Sequence, residues 1–235
     1  MLGHRPQDGA SHIPAPARCT GVRLYDYAAS ANCYKVRLLL EQLEIPYEKV
    51  SLDIFDGDTL TDAFARMNPA KTTPVLELGP GRHLTESNAI LAYLAEGTDL
   101  LPDDRFERAQ VLRWLLFEQA DVIPTMGGLR FRLLTGRLSS GDPEAVRRKA
   151  GAEDALGVLD AHLTNRSFLA ADRYTIADIA IYAYTHVAHE AGVDTSPYPA
   201  FGAWLARVEA QPRHMNDLEP YPANASVQSG RSVYG

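Results

Sequence analysis

The segment Tyr27-Ala-Ala-Ser30-Ala-Asn32-Cys33-Tyr-Lys-Val36 joins two different periodicities. Before it, Val22-Arg-Leu-Tyr-Asp-Tyr27 alternates as a half-buried strand does. After it, Cys33, Val36, Leu39, Leu40 and Leu43 recur at helical spacing and make one apolar face. The segment is therefore a strand-to-helix turn. A helix start presents unpaired N–H groups and partial positive charge, so it holds an anion and stabilises a thiolate. The Ser30 hydroxyl and the Asn32 amide can each donate a hydrogen bond to such a thiolate. Either can equally serve only as the helix cap.

Working outward, Ile45-Pro46 stops the helix, and Tyr47–Leu52 alternates again. The pattern predicts a short helix over Asp58–Arg66, capped by Asp58 or Thr59. Pro74–Leu78 and Arg82–Leu84 form a hairpin around Gly79-Pro-Gly81. Thr85-Glu86-Ser87 then caps a helix carrying Ile90, Leu91 and Leu94. This order is a small α/β unit. Glu96–Asp104 breaks the pattern, and four helical stripes follow. They are Ala109, Leu112, Leu115 and Leu116; Ala152, Leu156, Leu159 and Leu163; Ile176, Ile179, Ala180, Ala183 and Val187; and Phe201, Trp204, Leu205 and Val208. Pro124 and Gly127-Gly128 should interrupt the first long helix. The expected division is a disordered tail over 1–20, an α/β domain over 21–97, a linker over 98–104, an all-α domain over 105–219 and a loose tail over 220–235.

Composition bounds what such a chain does. Its 235 residues are 46% hydrophobic and 23% charged, which suits a folded globular protein. The net charge of −7 argues against nucleic acid. Cys19 and Cys33 are too few for a disulfide framework or a thiolate metal site. No apolar run reaches membrane-spanning length. Residues 1–20 lack a secretory apolar core, and Asp8 counts against the organelle-targeting reading of Arg5 and Arg18. A soluble cytoplasmic protein is expected. His186 and His189 lack an evident third metal ligand, and so read as structural.

Two further segments carry chemistry. In Asn68-Pro-Ala-Lys71-Thr-Thr73-Pro74, a proline opens a strand where a cis bond can sit. Such a turn exposes the Thr73 backbone to an extended peptide that pairs in β fashion. Glu86-Ser87 places an acid and a hydroxyl at a helix start, suited to the ammonium and carboxylate of a peptide zwitterion.

Together these motifs resemble the soluble glutathione S-transferase superfamily over about Val22 to Asp217. The likeness is greatest to bacterial members with Ser-x-Asn-Cys-Tyr-Lys-Val, matched here by Ser30-Ala-Asn-Cys-Tyr-Lys-Val36. The resemblance implies a thioredoxin-like N-terminal domain, an all-helical C-terminal domain and a homodimer. It makes glutathione the co-substrate and requires no metal. It assigns thiol activation to Ser30 or Asn32, with Tyr25 or Tyr27 as alternatives. It assigns glutathione binding to Lys71, Thr73, a cis Pro74, Glu86 and Ser87. A second, electrophilic substrate would meet Trp114, Phe117, Met126 and Arg130, or Phe131, unless these residues serve packing. The absence of Cys at position 30 counts against the glutaredoxin-like branches. The implied activity is glutathione transfer to a small electrophile. Its rivals are disulfide reduction or peroxidase chemistry on the same fold, and a non-enzymatic interaction protein. Thr175-Ile-Ala-Asp178 is a capping box assigned to folding.

Overall fold

The computed structural model describes residues 21–229. The tail expected over 1–20, and residues 230–235 of the expected C-terminal tail, lie outside it.

Strand β1 (Val22–Asp26) leads through the Ser30 turn into α1 (Ala31–Gln42), and α1 returns the chain to β2 (Tyr47–Ser51). Then come α2 (Asp62–Met67), β3 (Val75–Glu77), β4 (His83–Thr85) and α3 (Ser87–Ala95). The sheet order is β2-β1-β3-β4. β1 and β2 run parallel with Val22 opposite Tyr47, whereas β3 pairs antiparallel to β1 with Leu76 opposite Leu24. Leu24, Val36, Leu39, Leu76, Ile90 and Leu91 are all closed off from solvent between sheet and helices.

The second domain is helical: α4 (Arg105–Phe117), a π-helical segment (Glu118–Gly127), α5 (Gly128–Leu134), α6 (Pro143–Leu163), α7 (Ile176–Thr185) and α8 (Pro199–Glu209). Pro124 lies inside the π-helical segment, where it cannot donate an N–H to the helix ladder. The core of α1 and α3 continues without a break into that of α4, α6 and α7. A fully buried ion pair crosses the boundary: Lys35 Nζ of α1 donates to Glu118 Oε1 at 2.8 Å and to Asn88 Oδ1 at 2.9 Å.

Three expectations are corrected. Helix α2 is capped by Thr61, whose hydroxyl accepts from Phe64 N, because a 3-10 turn over Asp58–Leu60 comes first. Asp58 instead accepts the Asp53 N–H at 2.7 Å. On α4 the inward stripe is Val111, Trp114 and Leu115, so Leu112 and Leu116 are left 54% and 60% exposed. The segment 220–229 has no helical stripe, yet it is not loose. Asn224 Nδ2 donates to Asp53 Oδ2 at 2.7 Å, and Val227 N donates to Thr135 O at 3.0 Å. The chain before it is pinned by Arg37, which grips Asp26 and Asp217 together.

Candidate active site

The turn between β1 and α1 has extended backbone at Ser30, whose Oγ accepts the Cys33 N–H at 3.3 Å. Ser30 is thus the helix cap. A capping hydroxyl is used as an acceptor, so its own hydrogen remains to donate elsewhere. Cys33 itself points into the protein. Its sulfur accepts the Tyr27 N–H at 3.4 Å, and burial, with Asp26 nearby, pushes its thiol up to about 11. A buried thiol so raised is packing rather than nucleophile.

The Thr73–Pro74 peptide is cis. Asn68 shapes this loop, donating to Thr72 O at 2.8 Å and accepting from Ala70 N at 3.0 Å. Thr73 shares a cavity with Ser30 and Tyr27, while Lys71 stands exposed at the loop tip with φ +57°. Helix α3 starts without a side-chain cap, contrary to the sequence reading: Glu86 is exposed and takes φ +66°. A non-glycine residue there costs about 1–3 kcal/mol, and such residues cluster at active sites and ligand clamps. The next residue, Ser87, is buried and donates from Oγ to Asn32 Oδ1 at 3.1 Å. That bond ties the α3 start to the Ser30 turn and leaves the Asn32 NH2 group as donor.

The cavity, about 400 Å³, opens between the two domains. Its first wall is Tyr27, Ser30, Ile54 and Thr73; the facing wall comes from Ile123, Pro124, Phe131, Arg132, Arg148 and Tyr184. Tyr221, from the C-terminal strap, closes one side. The backbone of Gly127 and Gly128 forms part of the floor. A Cβ on Gly127 would come within 2.6 Å of the Tyr184 ring, and one on Gly128 within 2.8 Å of Arg148 Nη1.

Of the expected second-substrate residues, only Phe131 lines this cavity. Trp114 is buried and donates from Nε1 to Leu169 O at 2.7 Å, with Phe117 edge-on at 5.3 Å. Met126 is buried in the core. Arg130 is 2% exposed; it pairs with Glu190, donates to Ala29 O at 3.3 Å and lies 5.0 Å from the Tyr221 ring centroid. The π-helical segment changes the angular phase of the residues after α4, so a regular helical projection misassigns this wall. Gly127-Gly128 was the legible signal for it; Arg132, Arg148, Tyr184 and Tyr221 carried none. His186 stacks on Tyr182 while His189 is exposed, and no group of three metal-ligating side chains stands together among the described residues.

A thioredoxin-like domain edged by a helical domain, with the cleft between them, defines a glutathione S-transferase fold. The family profile described as "Glutathione S-transferase, N-terminal domain" matches residues 24–100, and "Glutathione S-transferase, C-terminal domain" matches 122–212. A solved glutathione S-transferase from Pseudomonas fluorescens is 43% identical, with a TM-score of 0.81 over 84% of this chain and 99% of that one. A glutathione transferase from Burkholderia graminis, solved with two glutathione molecules bound per subunit, is 31% identical. Its TM-score is 0.72, over 82% of this chain and 85% of that one. The Disulfide-bond oxidoreductase YfcG of Escherichia coli is 29% identical over 79% of this chain and 89% of its own length. The chain belongs to the glutathione S-transferase superfamily.

Proposed function

We propose that the chain is a glutathione transferase that activates the thiol of glutathione at Ser30 for attack on an electrophilic small molecule. One observation carries the reading: Ser30 lines the interdomain cavity at a helix start, with its hydroxyl hydrogen uncommitted by capping. A free thiol titrates near ~8.5. A hydrogen bond to charged sulfur contributes roughly 1.5–3 kcal/mol, or about one to two pKa units. The helix terminus adds up to ~1 kcal/mol. Together they make thiolate the main form at neutral pH. Asn32 supplies a second donor and positions Ser87. The Thr73 backbone ahead of cis Pro74 pairs with the cysteinyl part of glutathione, and Glu86 with Ser87 takes its γ-glutamyl end. Lys71 offers charge to a carboxylate. The sulfur–carbon bond forms as the bond to the leaving group breaks; that group departs with the electron pair, and the thiol proton goes to solvent.

A second copy of the chain would cover the apolar faces left on α4 and α3, where Leu112, Leu116 and Tyr93 are 54%, 60% and 44% exposed. No described helix is long and apolar enough to cross a membrane. A cytoplasmic site of action fits a chemistry that uses the reduced glutathione pool.

The named activity of the Escherichia coli relative supports a second reading, glutathione-dependent disulfide reduction in the same cleft. Chlorodinitrobenzene conjugation and hydroxyethyl disulfide reduction, measured side by side with glutathione, decide between them. Faster conjugation supports the transferase; faster reduction reverses the order. Neither reaction, in a protein that also fails to bind glutathione, leaves an interaction protein.

A further inference from the structure

Arg130, the cation singled out in the sequence, is spent on Glu190 and turned inward. The cations that do line the cleft are Arg132 and Arg148, and both lie over the same glycine. A Cβ on Gly128 would sit 2.8 Å from Arg148 Nη1 and 3.3 Å from Arg132 Nη1. Two guanidinium groups therefore converge on one patch of the floor, held in place by backbone carbonyls: Arg132 donates to Gly128 O at 3.0 Å, and Arg148 to Pro124 O. Glu144 neutralises part of Arg148 at 2.7 Å. Among the described residues, no carboxylate forms an ion pair with Arg132. Burial lowers its pKa, and the nearby Arg148 and Arg137 lower it further.

Beside this patch the wall is aromatic and apolar. The edge of the Tyr184 ring lies against Gly127, and Phe131, Ile123 and Tyr221 line the same cavity. Each guanidinium has five N–H donors in a planar fork, of which the bonds above use one on Arg132 and two on Arg148. The remaining forks suit a carboxylate, which an aromatic wall alone would reject.

We infer that the acceptor side of the cleft selects electrophiles with an aromatic body ending in a carboxylate, bound between Arg132 and Arg148 against Tyr184 and Phe131. This rests on the transferase reading and adds the substrate class. An aromatic carboxylate and the carboxylates of a second glutathione share this chemistry, so the test must separate them.

Calorimetric titration with S-(para-carboxybenzyl)glutathione, its neutral para-carbamoyl analogue and glutathione disulfide reads the acceptor side without turnover. On the wild type the carboxybenzyl conjugate should bind about tenfold more tightly than the carbamoyl one, a difference of about 1.4 kcal/mol. The ratio should fall toward one in Arg132→Gln/Arg148→Gln, and be kept in good part by the doubly Lys-substituted protein. Because both ligands carry the same glutathione portion, the ratio is insensitive to a general weakening of that site. Equal binding of the two conjugates, or a preference that survives the Gln variant, overturns the inference. Tighter binding of glutathione disulfide than of the carboxybenzyl conjugate, lost in the same variant, overturns the aromatic class in favour of a second glutathione. Absence of binding by glutathione itself removes the transferase reading together with this one.

Discussion

The Ser30 Oγ accepts the Cys33 N–H at 3.3 Å and at the same time borders the cleft. On the proposed reading, capping and thiol activation would be two uses of one oxygen, the lone pair serving the helix and the hydrogen serving the sulfur. Ser30→Ala should lower kcat by roughly 10–100-fold with glutathione affinity nearly intact, and should cost about 1 kcal/mol of stability through the lost cap. Steady-state kinetics with a urea melt separate the two effects. An unchanged kcat in a destabilised protein would leave only the cap and move activation to Asn32 or Tyr27.

Lys35 and Glu118 are both fully buried across the domain boundary, 2.8 Å apart. Burial lowers the Lys35 pKa, and Glu118 pulls it back up. Removing one partner strands the other charge, so Lys35→Met or Glu118→Leu should each cost about 3–5 kcal/mol in urea unfolding. The double variant Lys35→Met/Glu118→Leu should recover much of that loss. A single variant losing under ~1 kcal/mol would contradict a water-free pair.

Asp178 completes the capping box of α7 and accepts from Thr175 N, Leu169 N and Trp204 Nε1 at 2.9–3.0 Å. These bonds favour the charged form, but burial outweighs them and pushes its carboxyl up to about 6. Between the ordinary value of 3.8 and 6, the folded chain holds a proton that the unfolded chain has released. Stability from this group is therefore full below pH 3.8 and is lost as pH rises through 6, by about 3 kcal/mol across the window. Asp178→Asn lacks this slope, so the stability gap between wild type and variant should narrow from pH 4 to pH 7. A gap that widens would show a carboxyl held below its usual range.

Tyr221 reaches the cleft from the C-terminal strap, its ring 5.7 Å from Phe131 and 6.4 Å from Tyr27. Tyr221→Ala removes one side of the proposed acceptor wall. It should raise the acceptor KM by up to about tenfold, in line with one lost aromatic contact, and leave the glutathione KM far less affected. Equal changes in both constants would mean that the strap supports the whole cleft instead.

Elements with strong periodicity were legible in the sequence. The strand at Val22 and the helix stripe from Ala152 to Leu163 bury the residues their spacing selects, and the cis Pro74 loop and the Thr175–Asp178 box are where local chemistry places them. The cavity wall facing Ser30 was not legible. The π-helical turn around Pro124 rotates Met126 and Arg130 inward, and tertiary packing chooses Val111 over Leu112 on a helix with two apolar faces. Tyr221 has no helical stripe around it. Its position follows from long-range bonds, such as Asn224 to Asp53 and Arg37 to Asp217, that no local pattern encodes.

Titrating the protein with glutathione at neutral pH, in buffers of different ionisation enthalpy, counts the protons released on binding. If Ser30 and the α1 start stabilise the thiolate, binding should release most of a proton per site, and Ser30→Ala should abolish most of that release while still binding. Binding without proton release would contradict thiol activation at this site.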